Sequence, residues 1–252
     1  MAHAHADHCG CFPTGLPYPG IADLLLRAPA VSIGVAAEFD PNALLVDQPL
    51  AVIDTETTGR DPSRGDRVIE IGIVYFDRGE VSARHSLLVD PGIPIPADST
   101  AVHGITDAHV KGKPRFDAIV REVIGLLAGR IPVAYNAGFD RGFVFSEMRK
   151  AGVALNNDRS LPPALRNNVE WIDPLVWARA LQTNAKGYKL GEVAARLNVS
   201  IVQAHRATDD AEAAGQVLFA LLRGTTSSYR EAIQKQREHA NAWDRTRGTW
   251  RR

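Results

Sequence analysis

The sequence predicts an α/β fold: a mixed β-sheet, with three antiparallel strands and then parallel strands, flanked by α-helices. Three observations lead there. Short apolar runs rich in β-branched residues crowd positions 50–89, separated by turn residues. From Phe116 onward the apolar residues recur at helical spacing. One further short apolar run, Ile131 to Tyr135, falls between two helical stretches, as in a sheet that carries helices on its faces.

Taken in order, residues 1–46 read as an N-terminal extension, rich at first in His, Gly and Pro and without a sustained period. Residues 47–223 read as the folded domain. Leu50 to Asp54 (LAVID) is an apolar run that ends in polar residues, as a buried strand would. Arg67 to Asp77 (RVIEIGIVYFD) is a second strand, Asp77 to Glu80 a hairpin turn and Val81 to Val89 the return strand. Tight connections between consecutive strands require antiparallel pairing.

Phe116 to Leu127 carries apolar residues at 116, 119, 120, 123, 124 and 127, one face of a helix. Ile131 to Tyr135 is a strand and Phe139 to Ala151 a helix. The polar, Pro-containing stretch 156–168 is a loop. Trp171 to Leu181, Leu190 to Leu197 and Thr208 to Leu222 follow as helices, and 224–252 is a charged helical tail.

The chain has 252 residues, enough for one sizeable domain with extensions. Lys plus Arg equals Asp plus Glu, at 29 each, so no overall basic field exists and any nucleic-acid binding must be local. The only cysteines, Cys9 and Cys11, lie in the extension, which excludes a disulfide framework in the body and points to a reducing compartment. The N-terminus lacks the basic start and apolar core of a secretory signal. Asp23, Arg27 and Pro29 interrupt the one fairly apolar stretch, 21–37, so no membrane association is expected and the location is cytoplasmic.

Three segments carry chemistry. In Asp54-Thr55-Glu56 the two acids stand at i and i+2 on a strand and project to one face. Adjacent carboxylates repel unless a cation lies between them, and hard oxygen donors suit Mg²⁺ or Mn²⁺. In Asn136-Ala-Gly-Phe-Asp140 an acid opens a helix just after a strand. In His205-Arg-Ala-Thr-Asp-Asp210 a histidine precedes a helix whose first turn carries an acid. Each segment alone has an ordinary reading: a solvated pair, a helix-terminal acid, a cap. Together, Asp54, Glu56, Asp140 and Asp210 would balance two divalent cations that clamp a phosphoryl displacement. His205 would take the proton from the attacking water.

DTETTG at 54–59, NAGFD at 136–140 and HRATDD at 205–210 resemble the motifs of the DEDDh 3′–5′ exonuclease superfamily. They look most like the group of the epsilon proofreading subunit of bacterial DNA polymerase III and its stand-alone relatives. VHGITD at 102–107 and YKLGEVAARLNV at 188–199 are also similar to that family. The resemblance covers roughly residues 48–222 and implies a ribonuclease H-like fold, two Mg²⁺ (or Mn²⁺) and release of nucleoside 5′-monophosphates from the 3′ end of DNA. The family's final motif, a histidine and an aspartate five positions on, selects Asp210 over Asp209.

It implies roles as well: Asp54 bridging both metals, Glu56 and Asp210 on the nucleophile side, Asp140 supporting the second metal, His205 as general base. Thr57, His103, Asn136 and Phe139 would bind the terminal nucleotide. Tyr135 departs from the family, many members of which carry His there. An exoribonuclease or short-oligonucleotide nuclease of the same superfamily is the alternative, since metals that act on phosphate do not read the 2′-hydroxyl. A DNA polymerase subunit is a partner that the resemblance allows, and a non-catalytic accessory subunit is a reading that the intact acidic set opposes.

Three features stay outside this constellation. His3, His5, His8, Cys9 and Cys11 are soft-metal ligand types without a scaffold. Trp243 and Trp250 lie among arginines, which suits stacking on a single strand, packing of the tail on the domain, or a protein partner. Arg60, Arg64 and Arg67 suit either phosphate steering or a solvated loop.

Overall fold

The computed structural model describes residues 34–202 and 205–249. Among these, β1 (Leu50–Thr57), β2 (Val68–Asp77), β3 (Glu80–Leu88) and β4 (Ile131–Val133) form one sheet in the order β3-β2-β1-β4. β1 pairs antiparallel with β2, and β2 with β3; β4 lies parallel to β1. The expected mixed sheet is thus present. Its parallel side beyond β4 consists of a single bridge from Val133 to Ile172 rather than a further strand. The β2–β3 turn holds Arg78 at φ 54° and Gly79 at φ 85°, the twin positive angles that a two-residue hairpin needs to match the strand twist.

Eight helices accompany the sheet among the described residues: α1 (Ala97–His103), α2 (Asp107–Val110), α3 (Phe116–Leu127), α4 (Ala137–Lys150), α5 (Pro174–Leu181), α6 (Leu190–Arg196), α7 (Ala207–Leu222) and α8 (Tyr229–Thr249). Alternation along β1 divides the core in two. Leu50 and Val52 face Trp177, Val193, Val217 and Tyr229 of α5 to α8. Ala51 and Ile53 face Phe116 and Val123 of α3 and Phe143 and Met148 of α4. Each fully buried side chain of this size contributes roughly 1.5–3 kcal/mol.

Two elements differ from the sequence expectation. α1 and α2 follow the prolines at 91, 94 and 96, in a segment where no helical period is visible; Gly104, at φ 73°, ends α1 after two turns. The helix expected from Trp171 starts only at Pro174. Proline forces its predecessor out of helical geometry but suits the first helical position, and the Asp173 side chain caps the Leu175 N–H. Trp171 and Ile172 are consequently extended, and Ile172 meets β4.

Residues 34–46 and α8 both enter the core: Ala36, Leu45, Tyr229, Ala232 and Ile233 are buried together. The Ala36 N–H donates to the Tyr229 hydroxyl at 3.2 Å. Trp243 lies under the Arg179 guanidinium at 4.7 Å and edge-on to Tyr188, so this tryptophan packs the tail on the domain. Trp250, His3, His5, His8, Cys9 and Cys11 lie outside the described residues. No described helix is long and apolar enough to cross a membrane.

Candidate active site

The end of β1 gathers the acids. Continuing the alternation, Asp54 and Glu56 share the face of Leu50 and Val52, towards α7, while Thr55 faces α4. Pairing with β2 slips by one residue beyond Glu56: Glu56 opposes Glu70, but Thr57 opposes Val68. Such bulges re-aim a strand end, and they recur beside active sites. Asp210 sits in the first turn of α7. Gly72, the β2 partner of Asp54, lets that turn rest on the sheet, because a Cβ there would lie 2.3 Å from the Ala207 carbonyl carbon. As a result, one oxygen each of Asp54, Glu56 and Asp210 lies within 4.8 Å of the others.

Asp140 arrives from the opposite face. It is buried in the first turn of α4, and its Oδ1 accepts from the Thr55 N–H at 2.9 Å and the Thr55 hydroxyl at 2.8 Å. It therefore stands beside the trio rather than within it. The start of α4 is itself held. Asn136 is left-handed (φ 63°), and the Asp173 carboxylate accepts from the N–H groups of Asn136 and Ala137 at 2.9 and 3.0 Å.

The electrostatics are strained. Burial, then the charges of Asp140, Glu56 and Asp210, hold Asp54 well above the usual carboxylate range. Burial, then Asp210 and Glu70, push Glu56 up to about 7. Burial also raises Asp140 against its two Thr55 hydrogen bonds, and Asp210 against the His205 N–H. Four acids whose ionised forms repel in a partly dehydrated pocket are matched by a hard divalent cation. The donor set fits Mg²⁺ or Mn²⁺, with Asp54, Glu56 and Asp210 as the residues placed to hold it.

His205 is exposed and left-handed (φ 64°), and its N–H donates to Asp210 Oδ2 at 3.0 Å. Non-glycine residues hold that conformation only where their surroundings impose it. Thr57 is buried, with its hydroxyl on the Gly59 carbonyl at 2.6 Å. His103 is buried; its Nδ1 accepts from the Ile105 N–H at 3.0 Å, and burial holds its pKa below the usual value. A hydrogen bond to the Thr57 backbone works against that shift. Asn136 is exposed, and Phe139 packs on Phe143 at 4.9 Å between ring centres. Arg67 is committed elsewhere, bidentate to buried Glu147 at 2.6 and 2.8 Å.

Sequence reading missed Glu70, which is fully buried in β2 and accepts from Arg206, Ser86 and, at 3.5 Å, the Ala207 N–H. The signal was present: an acid in the middle of an apolar strand needs a partner. Thr55 and Asp173 had no such mark.

The sequence pattern of the RNase T exonuclease family matches residues 51–218. The chain is 35% identical over 175 residues to the 3′-5′ exonuclease DinG of Bacillus subtilis (strain 168), covering 69% of this chain and 18% of that protein. It is 35% identical over 172 residues to a PolC-type DNA polymerase III of Clostridium perfringens, covering 68% of this chain and 11% of that protein. The chain thus spans under a fifth of the length of these curated relatives. Among solved structures, Exonuclease X in complex with 5′ overhanging duplex DNA matches at TM-score 0.57 and 24% identity, over 74% of this chain and 99% of that one. The nuclease domain of 3′hExo, a DEDDh family member bound to rAMP, matches at TM-score 0.60 and 15% identity, over 74% and 97%. These two likenesses concern the fold. With its acids at 54, 56, 140 and 210 and its histidine at 205, the chain belongs to the DEDDh family of RNase T-type 3′-5′ exonuclease domains.

Proposed function

We propose that this protein is a metal-dependent exonuclease that removes nucleoside 5′-monophosphates one at a time from the 3′ end of DNA. The carrying observation is the convergence of Asp54, Glu56 and Asp210 within 4.8 Å, with Asp140 beside them. Asp54, Glu56 and Asp210 would hold one divalent cation, and Asp140 with Asp54 would support a second. When bound, the cations supply positive charge where the phosphate under attack and its leaving oxygen become more negative.

The remaining work belongs to the chain. Water adds to phosphorus and the bond from phosphorus to the 3′ oxygen breaks, leaving a 3′-hydroxyl on the shortened strand. His205 accepts the water's proton; it is exposed, so solvent can carry that proton away and supply one to the leaving 3′ oxygen. His103, buried and hydrogen-bonded to the Thr57 backbone, lines the pocket of the terminal nucleotide. Asn136 and the Thr57 backbone orient that nucleotide at the strand end, and Phe139 borders it. DNA is favoured by the PolC-type polymerases among the relatives and by the DNA-bound Exonuclease X. RNA is the competing substrate, since a 3′-exonuclease that recognises histone mRNA shares the fold. A polymerase subunit is a further partner consistent with this reading, and the location is cytoplasmic.

The test uses 3′- and 5′-labelled single strands of DNA and RNA with Mg²⁺ or EDTA. Loss of 3′ mononucleotides only with metal, and not in Asp54→Ala or His205→Ala, is expected. Absence of cleavage of every strand in Mg²⁺ and Mn²⁺ would sink the enzymatic reading. Faster cleavage of RNA than DNA would replace the substrate.

A further inference from the structure

Helix α8 lies beyond the matched residues 51–218, yet one of its side chains reaches towards the site. Gln236 is buried, at 4% exposure, and every polar group of its amide is used. Its Oε1 accepts from the Asp173 N–H at 2.8 Å. Its Nε2 donates to the Trp171 carbonyl at 2.9 Å and to Glu170 Oε1 at 3.0 Å. The next residue, Arg237, donates to the other oxygen of Glu170 at 2.6 Å. Three chain positions, 170, 171 and 173, are therefore held from α8.

Asp173 passes that constraint on. Its carboxylate accepts three N–H groups: Asn136 at 2.9 Å, Ala137 at 3.0 Å and Leu175 at 2.9 Å. The first two open α4, and Asp140 lies within one turn of them. Asn136 holds a left-handed conformation that it would readily leave, because an exposed asparagine has accessible alternatives. A short chain of hydrogen bonds thus runs from Gln236 through Asp173 to the backbone that aims Asn136 and Asp140.

We propose that Gln236 is a positioning residue of the nuclease site: it orients Asp173, and Asp173 sets the entry of α4. The proposal rests on the exonuclease reading above only for its kinetic consequence. The bridge of Ile172 to Val133 already keeps the 170–173 segment in place, so Gln236 has its effect on orientation more than on whether the segment docks.

Gln236→Met keeps the volume and removes all three hydrogen bonds. Displacing Asp140 by a fraction of an ångström should lower kcat about tenfold, while KM stays within about twofold. Hydrogen exchange at the Asn136 and Ala137 amides should speed up in the same variant. Asp173→Asn should speed exchange at Ala137, since an amide nitrogen cannot accept that N–H. Tyr229→Phe is the comparison: it removes the hydrogen bond to Ala36 elsewhere on α8 and should leave kcat and both amides unchanged. The relay is overturned if Gln236→Met leaves both amides protected as before, or if Tyr229→Phe exposes them equally. A wild-type protein that cleaves no strand would remove the exonuclease reading, and the amide comparison would still decide the relay.

Discussion

Glu70, fully buried in β2, is gripped by Arg206, the residue between His205 and helix α7, at 3.0 and 3.3 Å. Burial alone would raise the Glu70 carboxyl; the Arg206 fork and the Ser86 hydroxyl overcome it and hold the pKa below the usual value. The pair therefore ties the start of α7 to the sheet directly opposite Glu56. Arg206→Ala leaves a buried carboxylate unpaired. The Arg206 side chain is 36% exposed, so solvent reduces the usual loss, and we expect about 2 kcal/mol in chemical denaturation. Arg206→Lys should recover only part of it, because a single ammonium cannot reproduce the planar fork.

Gly72→Ala should push the start of α7 off the sheet, since its Cβ would collide with the Ala207 backbone. Overpacking of this kind costs about 1–3 kcal/mol. The diagnostic is cation affinity measured by calorimetry. It should fall further than in Gly215→Ala, where the obstacle is the Phe76 ring, away from the acids.

Without metal, the folded protein should lose stability as pH rises. Glu56 has a folded pKa of about 7 against an ordinary value of 4.5. Its contribution is fully present below pH 4.5 and disappears as pH climbs to 7; Asp54, Asp140 and Asp210 act in the same direction. Melting in EDTA across this window should show Glu56→Gln gaining on the wild type, by about 3 kcal/mol at most. Saturating Mg²⁺ should reverse the order at pH 7.5. Parallel curves for the two proteins in EDTA would contradict the assignment of Glu56 to the strained cluster.

Thr55→Val removes the hydroxyl that holds Asp140 and leaves the backbone N–H in place. A loss of about 1 kcal/mol is expected. Half-saturation by Mn²⁺, followed by proton relaxation, should move to higher metal concentration.

Much of the sheet was legible because its physics is local. Alternating or continuous β-branched runs mark β1 to β3, and α3 matches its spacing from Phe116 to Leu127. What could not be seen depends on partners far apart in sequence. The late start of α5 is signalled by Pro174, but Trp171 looks helical until β4 is there to pair with its neighbour Ile172. The burial of Leu45 and Tyr229 is invisible in segments that read as extension and charged tail. At the site, the motifs pointed to Asp54, Glu56 and Asp210, which do converge. They did not reveal that Thr55, between two acids, holds the fourth from the other side.

That division has a consequence for when the protein acquires its chemistry. The acidic trio needs the layer that contains α7, and Asp140 needs the layer that contains α4, on the opposite side of the same strand. A chain with one layer docked has half a site. The full set of four acids therefore exists only when both layers have closed on β1.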